Sequence, residues 1–202
     1  MKPDTLTVHT LKSGLEKICA ALEEAADELN RADAVLGDGD LGVTVVRGAR
    51  SLRMVLPELP DDLGMALMKC AQAFTQVSGS TFGTLIATGL MASSRRVRGQ
   101  KEMLLSELPA LFADAVDAMC KRSHTELGDK TVLDALDRLG KALAEAGSSN
   151  DLLEAGKRGM DAALEDFRPR ISKSGRARIF GQKSAGRDDP GMLAVKKIMD
   201  AL

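Results

Sequence analysis

The sequence predicts an all-α protein: an antiparallel up-and-down barrel or bundle of roughly eight helices. Two observations carry this fold class. The apolar residues are mainly Ala, Leu, Met and Val, and the strong helix formers Ala, Leu, Met, Glu, Lys and Arg dominate the chain. Apolar positions recur at spacings of three and four along most of its length, and no stretch alternates in strand fashion. The helical segments are joined mostly by short loops, which set successive helices side by side and antiparallel. With 202 residues the chain reads as one domain, 1–202, long enough to bury its own core.

Composition excludes several partners. The net charge is −1, so bulk electrostatics recruit no polyanion. There is no Trp, no Tyr and only five Phe, too few rings for a platform that stacks single-stranded nucleic acid. Cys19, Cys70 and Cys120 are odd in number and widely spaced, each inside an apolar helical pattern. They read as reduced core residues of a cytoplasmic protein, without metal-ligand spacing. No apolar run approaches the length of a membrane span, and the N-terminus lacks a signal-peptide layout.

In chain order, Val8, Leu11, Leu15, Ile18, Leu22, Ala25 and Leu29 mark one face of a long first helix. It leads into Ala-Asp-Ala-Val-Leu-Gly-Asp-Gly-Asp-Leu-Gly, residues 32–42, where Asp33, Asp38 and Asp40 are interleaved with glycines. Three hard oxygen donors without histidine or cysteine suit Mg²⁺, or less selectively Ca²⁺ or Mn²⁺. Asp and Gly are also the residues of an ordinary helix-linking loop. Val43, Val46, Ala49 and Leu52 continue a second helix, which Pro57 and Pro60 end. The third runs over 63–77 on Leu63, Ala66, Leu67, Cys70 and Phe74.

A second glycine loop follows, Val77-Ser78-Gly79-Ser80-Thr81-Phe82-Gly83-Thr84, before a small-residue fourth helix over 85–92. Amides and hydroxyls at a helix N-terminus make an anion site, while Gly83, Thr84, Ala87 and Gly89 would equally serve close helix packing. A basic loop with Arg95, Arg96, Arg98 and Lys101 precedes the fifth helix, patterned by Leu108, Leu111, Phe112, Ala115 and Met119. Gly128-Asp129-Lys130-Thr131 offers an N-cap to the sixth, which carries Leu133, Leu136, Leu139 and Leu143. The turn 147–150 separates it from the seventh, over 151–167. Helical patterning stops between Pro169 and Pro190, a segment rich in Arg and Lys, and the last helix spans 192–202. A loop of that length in a small domain is functional or disordered. Its arginines suit a lid over a phosphate group.

In an up-and-down array alternate loops share one end. The loops after helices one, three, five and seven are therefore neighbours, and they hold every candidate ligand-binding segment. Metal carboxylates, a phosphate-cradling helix start and an arginine-rich lid together describe a Mg²⁺–nucleotide site.

Five motifs, in this order and spacing, resemble the L subunit of dihydroxyacetone kinase: Gly37-Asp38-Gly39-Asp40-x-Gly42, Ser78-Gly79-x-x-Phe82-Gly83-Thr84, Gly128-Asp129-Lys130-Thr131, Gly175-Arg176-Ala177 and Asp189-Pro190-Gly191. The resemblance covers nearly the whole chain. It implies an eight-helix barrel holding ADP or ATP at one end, with two Mg²⁺ on Asp33, Asp38 and Asp40. It places nucleotide contacts at Leu41, Gly42, Thr44, Val77, Ser78, Gly79, Thr84, Val132, Arg176, Asp189, Pro190 and Gly191, of which Thr44 and Val132 differ in type from the family. None of these is a general base. The family's K-type subunit, which holds dihydroxyacetone covalently, would supply one.

The departures lie at the rim. Leu41 and Arg187 stand where the family has histidines, Ser80-Thr81 replace Pro-Leu, and Ile179-Phe180-Gly181-Gln182-Lys183 replaces Tyr-Leu-Gly-Glu-Arg. The reading is thus a phosphotransferase subunit for dihydroxyacetone or another short ketose such as a tetrulose. Its donor is exchangeable ATP or a held ADP recharged by a phosphoenolpyruvate-dependent phosphocarrier protein. The alternatives are a nucleotide-binding regulatory module without chemistry, or a purely structural helical protein. Oligomeric state stays open, a homodimer included.

Overall fold

The computed structural model describes residues 4–77, 79–146, 148 and 151–202. A three-residue strand, β1 (Thr5–Thr7), leads into α1 (Val8–Glu24) through a capping box. The Thr7 hydroxyl accepts from the Thr10 amide at 3.2 Å and Thr10 Oγ1 accepts from the Thr7 amide at 2.9 Å. Such a cap stabilises a helix start by about 1 kcal/mol. Then follow α2 (Ala26–Leu36), α3 (Leu41–Val55), α4 (Leu63–Val77), α5 (Thr81–Arg96), α6 (Leu108–Ser123), α7 (Val132–Ala144), α8 (Leu152–Phe167) and α9 (Pro190–Ala201).

The long first helix expected from the sequence is bent. Ala25 has ψ −4, which splits α1 from α2, although its amide still bonds Ala21 O and its carbonyl still accepts from Leu29, both at 2.9 Å. The bend lets the first turn of α3 lie against α2. A Cβ on Gly42 would stand 2.0 Å from the Ala26 carbonyl oxygen, so only glycine fits that contact. The apolar period runs through the bend unbroken, since Leu22, Ala25 and Leu29 are all buried. Among the described residues, counting α1 and α2 as one kinked element leaves the eight α-helices that were expected.

Each helix packs on its successor in the chain, and α9 returns to α1 and α2, so the ring closes into a barrel. Small residues set several of these approaches. A Cβ on Gly48 would meet Phe74 Cζ at 2.4 Å, and one on Gly64 would meet the Ser94 carbonyl at 2.5 Å. The fourth predicted helix extends further than its apolar pattern, because Ser80 caps it by accepting from the Gly83 amide at 3.1 Å. Gly89 within it faces Met119, so part of its small-residue content serves packing.

One short ladder qualifies the helical picture. β1 pairs antiparallel with β2 (Glu102–Leu104) in the register Leu6 opposite Met103, three residues each and too short for alternation to register in sequence. It ties the chain's start to the α5–α6 connection. The same connection is bound to the start of α4: the Leu63 amide donates to Gln100 O at 2.8 Å and the Gly99 amide to Asp62 Oδ2 at 2.6 Å. That stitched end of the barrel lies opposite the cavity described below.

The cysteines are free, Cys19 and Cys70 buried and Cys120 partly so. Burial pushes the thiols of Cys19 and Cys70 up to about 11, so both stay protonated and unreactive at neutral pH. Among the described residues no helix is long and apolar enough to cross a membrane.

Candidate functional site

Asp33 occupies the last turn of α2, and the chain then turns through Gly37, Asp38 and Gly39 before α3 starts at Leu41. Gly39 has φ +76, a conformation L side chains rarely adopt. Asp33 Oδ2 accepts from the amides of Asp40 at 2.9 Å and Leu41 at 3.3 Å, so this carboxylate caps α3 from outside it. A Cβ at Gly37 would lie 2.4 Å from Asp33 Oδ1; glycine leaves that oxygen room.

One carboxylate oxygen each from Asp33, Asp38 and Asp40 falls within 4.8 Å of the others, Asp33 half-buried and the other two exposed. Three like charges so close repel one another. The donor set is all hard oxygen, with no nitrogen or sulfur among its members, which fits Mg²⁺. Arg176 reaches across from the 169–190 segment and forms an ion pair with Asp38.

These carboxylates sit in the wall of a cavity of about 480 Å³, large enough for a nucleotide. It draws on all four loops expected at this end: the aspartate loop, Ser80–Phe82, Thr125 with Thr131–Leu133, and 174–178 with Asp189–Gly191. Leu36, Leu41, Phe82, Leu85, Val132 and Pro190 contribute the apolar part of its lining. Asp189 caps α9 by accepting from the Met192 amide at 2.9 Å. Burial pushes its carboxyl up to about 6, against the pull of the Met192 and Gly191 amides and the charge of Lys130.

Of the residues singled out from the sequence, Asp33, Asp38, Asp40, Leu41, Thr44, Val132, Arg176, Asp189, Pro190 and Gly191 line this cavity. Ser78 lies outside the described residues. Gly79 has open space where a Cβ would be, and Val77 is exposed at the end of α4. Gly42 is instead buried against Ala26, where it serves helix packing. Thr84 turns its hydroxyl back to Ser80 O at 2.9 Å, inside its own helix. Arg178, one of the arginines of the expected lid, lines the cavity too, and lining residues not singled out from the sequence include Thr125 and Ser174. Thr125 is buried, and its hydroxyl pairs with that of Ser174 at 2.8 Å, joining the α6–α7 loop to the lid; neither residue belongs to a recognisable pattern.

The basic segment is not structureless. Residues Arg176–Ser184 form 3₁₀ turns interrupted at Gly181, whose φ of 51 and ψ of −125 leave the helical region. Arg168 pairs with Asp188 through two hydrogen bonds of 2.9 and 3.1 Å, and the Gly186 amide donates to Arg168 O at 2.8 Å, so the ends of the loop are closed on each other. Beneath it Lys130 is fully buried, at 0% exposure. Burial lowers its ammonium below the usual lysine range, opposed by the charges of Asp189 and Asp188. Asp134, also buried, accepts from the Gly128 amide at 2.5 Å and the Thr131 amide at 2.8 Å and so holds the Gly-Asp-Lys-Thr turn. Its carboxyl is raised by burial, those donors opposing.

The ring of helices, with three carboxylates, two capped helix starts and a basic lid at one rim, defines a helical barrel whose rim combines an acidic cluster with forked cations. The chain belongs to the DAK2 domain family, whose pattern it matches over residues 35–202. It is 27% identical over 182 residues to the ADP-binding subunit DhaL of the PEP-dependent dihydroxyacetone kinase of Escherichia coli, covering 88% of this chain and 87% of that one. It is 29% identical over 194 residues to the corresponding subunit of dihydroxyacetone kinase 2 of Listeria innocua, covering 93% and 90%. Against the L-erythrulose 1-kinase of Mycolicibacterium smegmatis it is 30% identical over 93% of its own length but spans only 33% of that protein. The dihydroxyacetone kinase of C. freundii solved with AMP-PNP and Mg²⁺ shares the fold with a TM-score of 0.74 at 23% identity, covering 96% of this chain and 33% of that one.

Proposed function

We propose that this chain is the nucleotide-binding subunit of a dihydroxyacetone kinase, one domain over 1–202 that acts with a separate K-type subunit holding the ketose. The observation that carries this reading is the meeting of Asp33, Asp38 and Asp40 with Arg176 at the mouth of a cavity built from four separate loops. Two of the relatives that the chain covers over most of their length are ADP-binding subunits of PEP-dependent kinases, which supports a held ADP recharged by a phosphocarrier protein.

Asp33, Asp38 and Asp40 would hold two Mg²⁺, which when bound neutralise the charge of the transferring phosphoryl group. Gly79, next to the cavity-lining Ser80, and the amides at the start of α5 would receive phosphate oxygens. Arg176 and Arg178 face the same space from the lid and offer forked donors to the anion. Leu36, Leu41, Phe82 and Val132 supply an apolar wall for the base. Following the family resemblance, deprotonation of the acceptor hydroxyl is assigned to the K-type partner. The sugar is then chosen by that partner, and an erythrulose is the second reading, favoured by the erythrulose kinases among the relatives.

Purified chain mixed with a K-type subunit is assayed for ketose phosphorylation with ATP, and separately with phosphoenolpyruvate and phosphocarrier proteins. Turnover in the second mixture alone is expected. Turnover of a ketose by the isolated chain would overturn the two-subunit reading.

A further inference from the structure

We propose that Lys130 is the positioning residue of the nucleotide site: from beneath the lid its ammonium gathers three main-chain carbonyls and so sets Arg176 and Arg178 over the cavity. The proposal rests on the nucleotide reading above but concerns a residue that does not line the cavity. Lys130 Nζ donates to Arg168 O at 3.0 Å, Arg170 O at 2.8 Å and Ser184 O at 2.8 Å. An ammonium has three protons, and here all three are taken. Two acceptors come from the chain entering the lid and the third from the end of its 3₁₀ turns, so one side chain fastens both sides of the segment.

Lysine is needed there for a physical reason. Burying an ammonium is costly unless each donor finds an acceptor, and carbonyls at the ends of irregular turns need donors in return. An apolar side chain of equal length would fill the space and leave the Arg170 and Ser184 carbonyls without the donor. The local backbone is bent to aim it: Lys130 has φ +64, rare for a residue with a side chain, in a turn clamped by Asp134. Further bonds converge on the same place. The Lys173 amide donates to Asp129 O at 3.0 Å, the Ser172 amide to Ser184 Oγ at 2.9 Å, and Ser184 Oγ to Gly181 O at 2.6 Å. The charged groups whose fields reach the ammonium are Asp188 and Asp189, which favour it, and Arg168, which does not.

The test compares Lys130→Met, Arg176→Ala and the double variant in the full chain. Circular dichroism of Lys130→Met should stay helical, while trypsin cleavage between residues 170 and 187 without ligand accelerates by about tenfold or more. Affinity for Mg²⁺–ADP, read by calorimetry, should fall by roughly 10–100-fold, the scale of a misplaced positioning group. Adding Lys130→Met to Arg176→Ala should then cost little more than Arg176→Ala alone, because one acts through the other. Lys130→Gln, which keeps an NH₂ donor, should fall between wild type and Met, and it decides the same readings if the Met variant is not recovered folded. Unchanged cleavage and affinity, or fully additive losses, would overturn the proposal. Wild-type protein that binds no Mg²⁺–ADP would sink the kinase reading instead, and the cleavage comparison would still judge the anchor.

Discussion

Two substitutions in the carboxylate cluster should lose the same ligand yet differ in stability, and the difference can be worked from the geometry. At 4.8 Å in water each pair of carboxylates repels by about 0.9 kcal/mol, and physiological salt roughly halves that. Removing one carboxylate relieves two pairs, about 1 kcal/mol in all. Asp40 makes no side-chain cap bond to α3, so Asp40→Asn gives up only its interaction with the helix dipole, about 0.5 kcal/mol. The metal-free variant should therefore be about 0.5 kcal/mol more stable than wild type. Asp33→Ala gains the same relief but loses two amide hydrogen bonds to a charged acceptor, about 2 kcal/mol together, and should be about 1 kcal/mol less stable. For a chain of this size that separates the two melting temperatures by about 3–6 °C in EDTA. With Mg²⁺–ADP at a hundred times its dissociation constant, wild type should gain about 2.7 kcal/mol, and neither variant should gain anything. Differential scanning fluorimetry in EDTA and in Mg²⁺–ADP reads both quantities. A ligand shift that survives in either variant, or an Asp40→Asn protein less stable than Asp33→Ala, refutes the reasoning.

Glycine substitutions separate packing from binding in the same way. Gly42→Ala places a methyl 2.0 Å from the Ala26 carbonyl and should cost about 3 kcal/mol in chemical denaturation, whereas Gly79→Ala meets nothing and should leave stability alone while weakening Mg²⁺–ADP. Asp189 provides a pH signature. Its folded carboxyl, near 6, lies above the ordinary 3.8, so the native state binds the extra proton and stability from this group rises as pH falls from about 7 to 4. Asp189→Asn should flatten that part of the stability–pH curve and be more stable than wild type at pH 8, by up to about 3 kcal/mol; identical curves for the two proteins would reject the assignment.

Among the described residues, the number of α-helices, most of their boundaries and the end of the barrel that opens into the cavity were legible in the sequence. Each rests on local chemistry: the 3.6-residue apolar period, prolines and N-cap residues at helix starts, and the alternation of loops in an antiparallel array. The aspartates and Asp-Pro-Gly were legible for the same reason, since carboxylates and helix caps declare themselves by residue type. Three features were decided only by tertiary packing. The bend at Ala25 leaves the apolar period intact, so nothing along the chain marks it. Gly42, a binding candidate by position in its motif, is committed to the contact of α3 with Ala26. Lys130, a charged residue in a loop, is fully buried because three carbonyls distant in sequence converge on its ammonium. A lysine's place is set by where its acceptors are, and these are supplied by backbone 38 to 54 residues further along the chain. Sequence patterns report what a residue prefers; only the closed barrel reports what it meets.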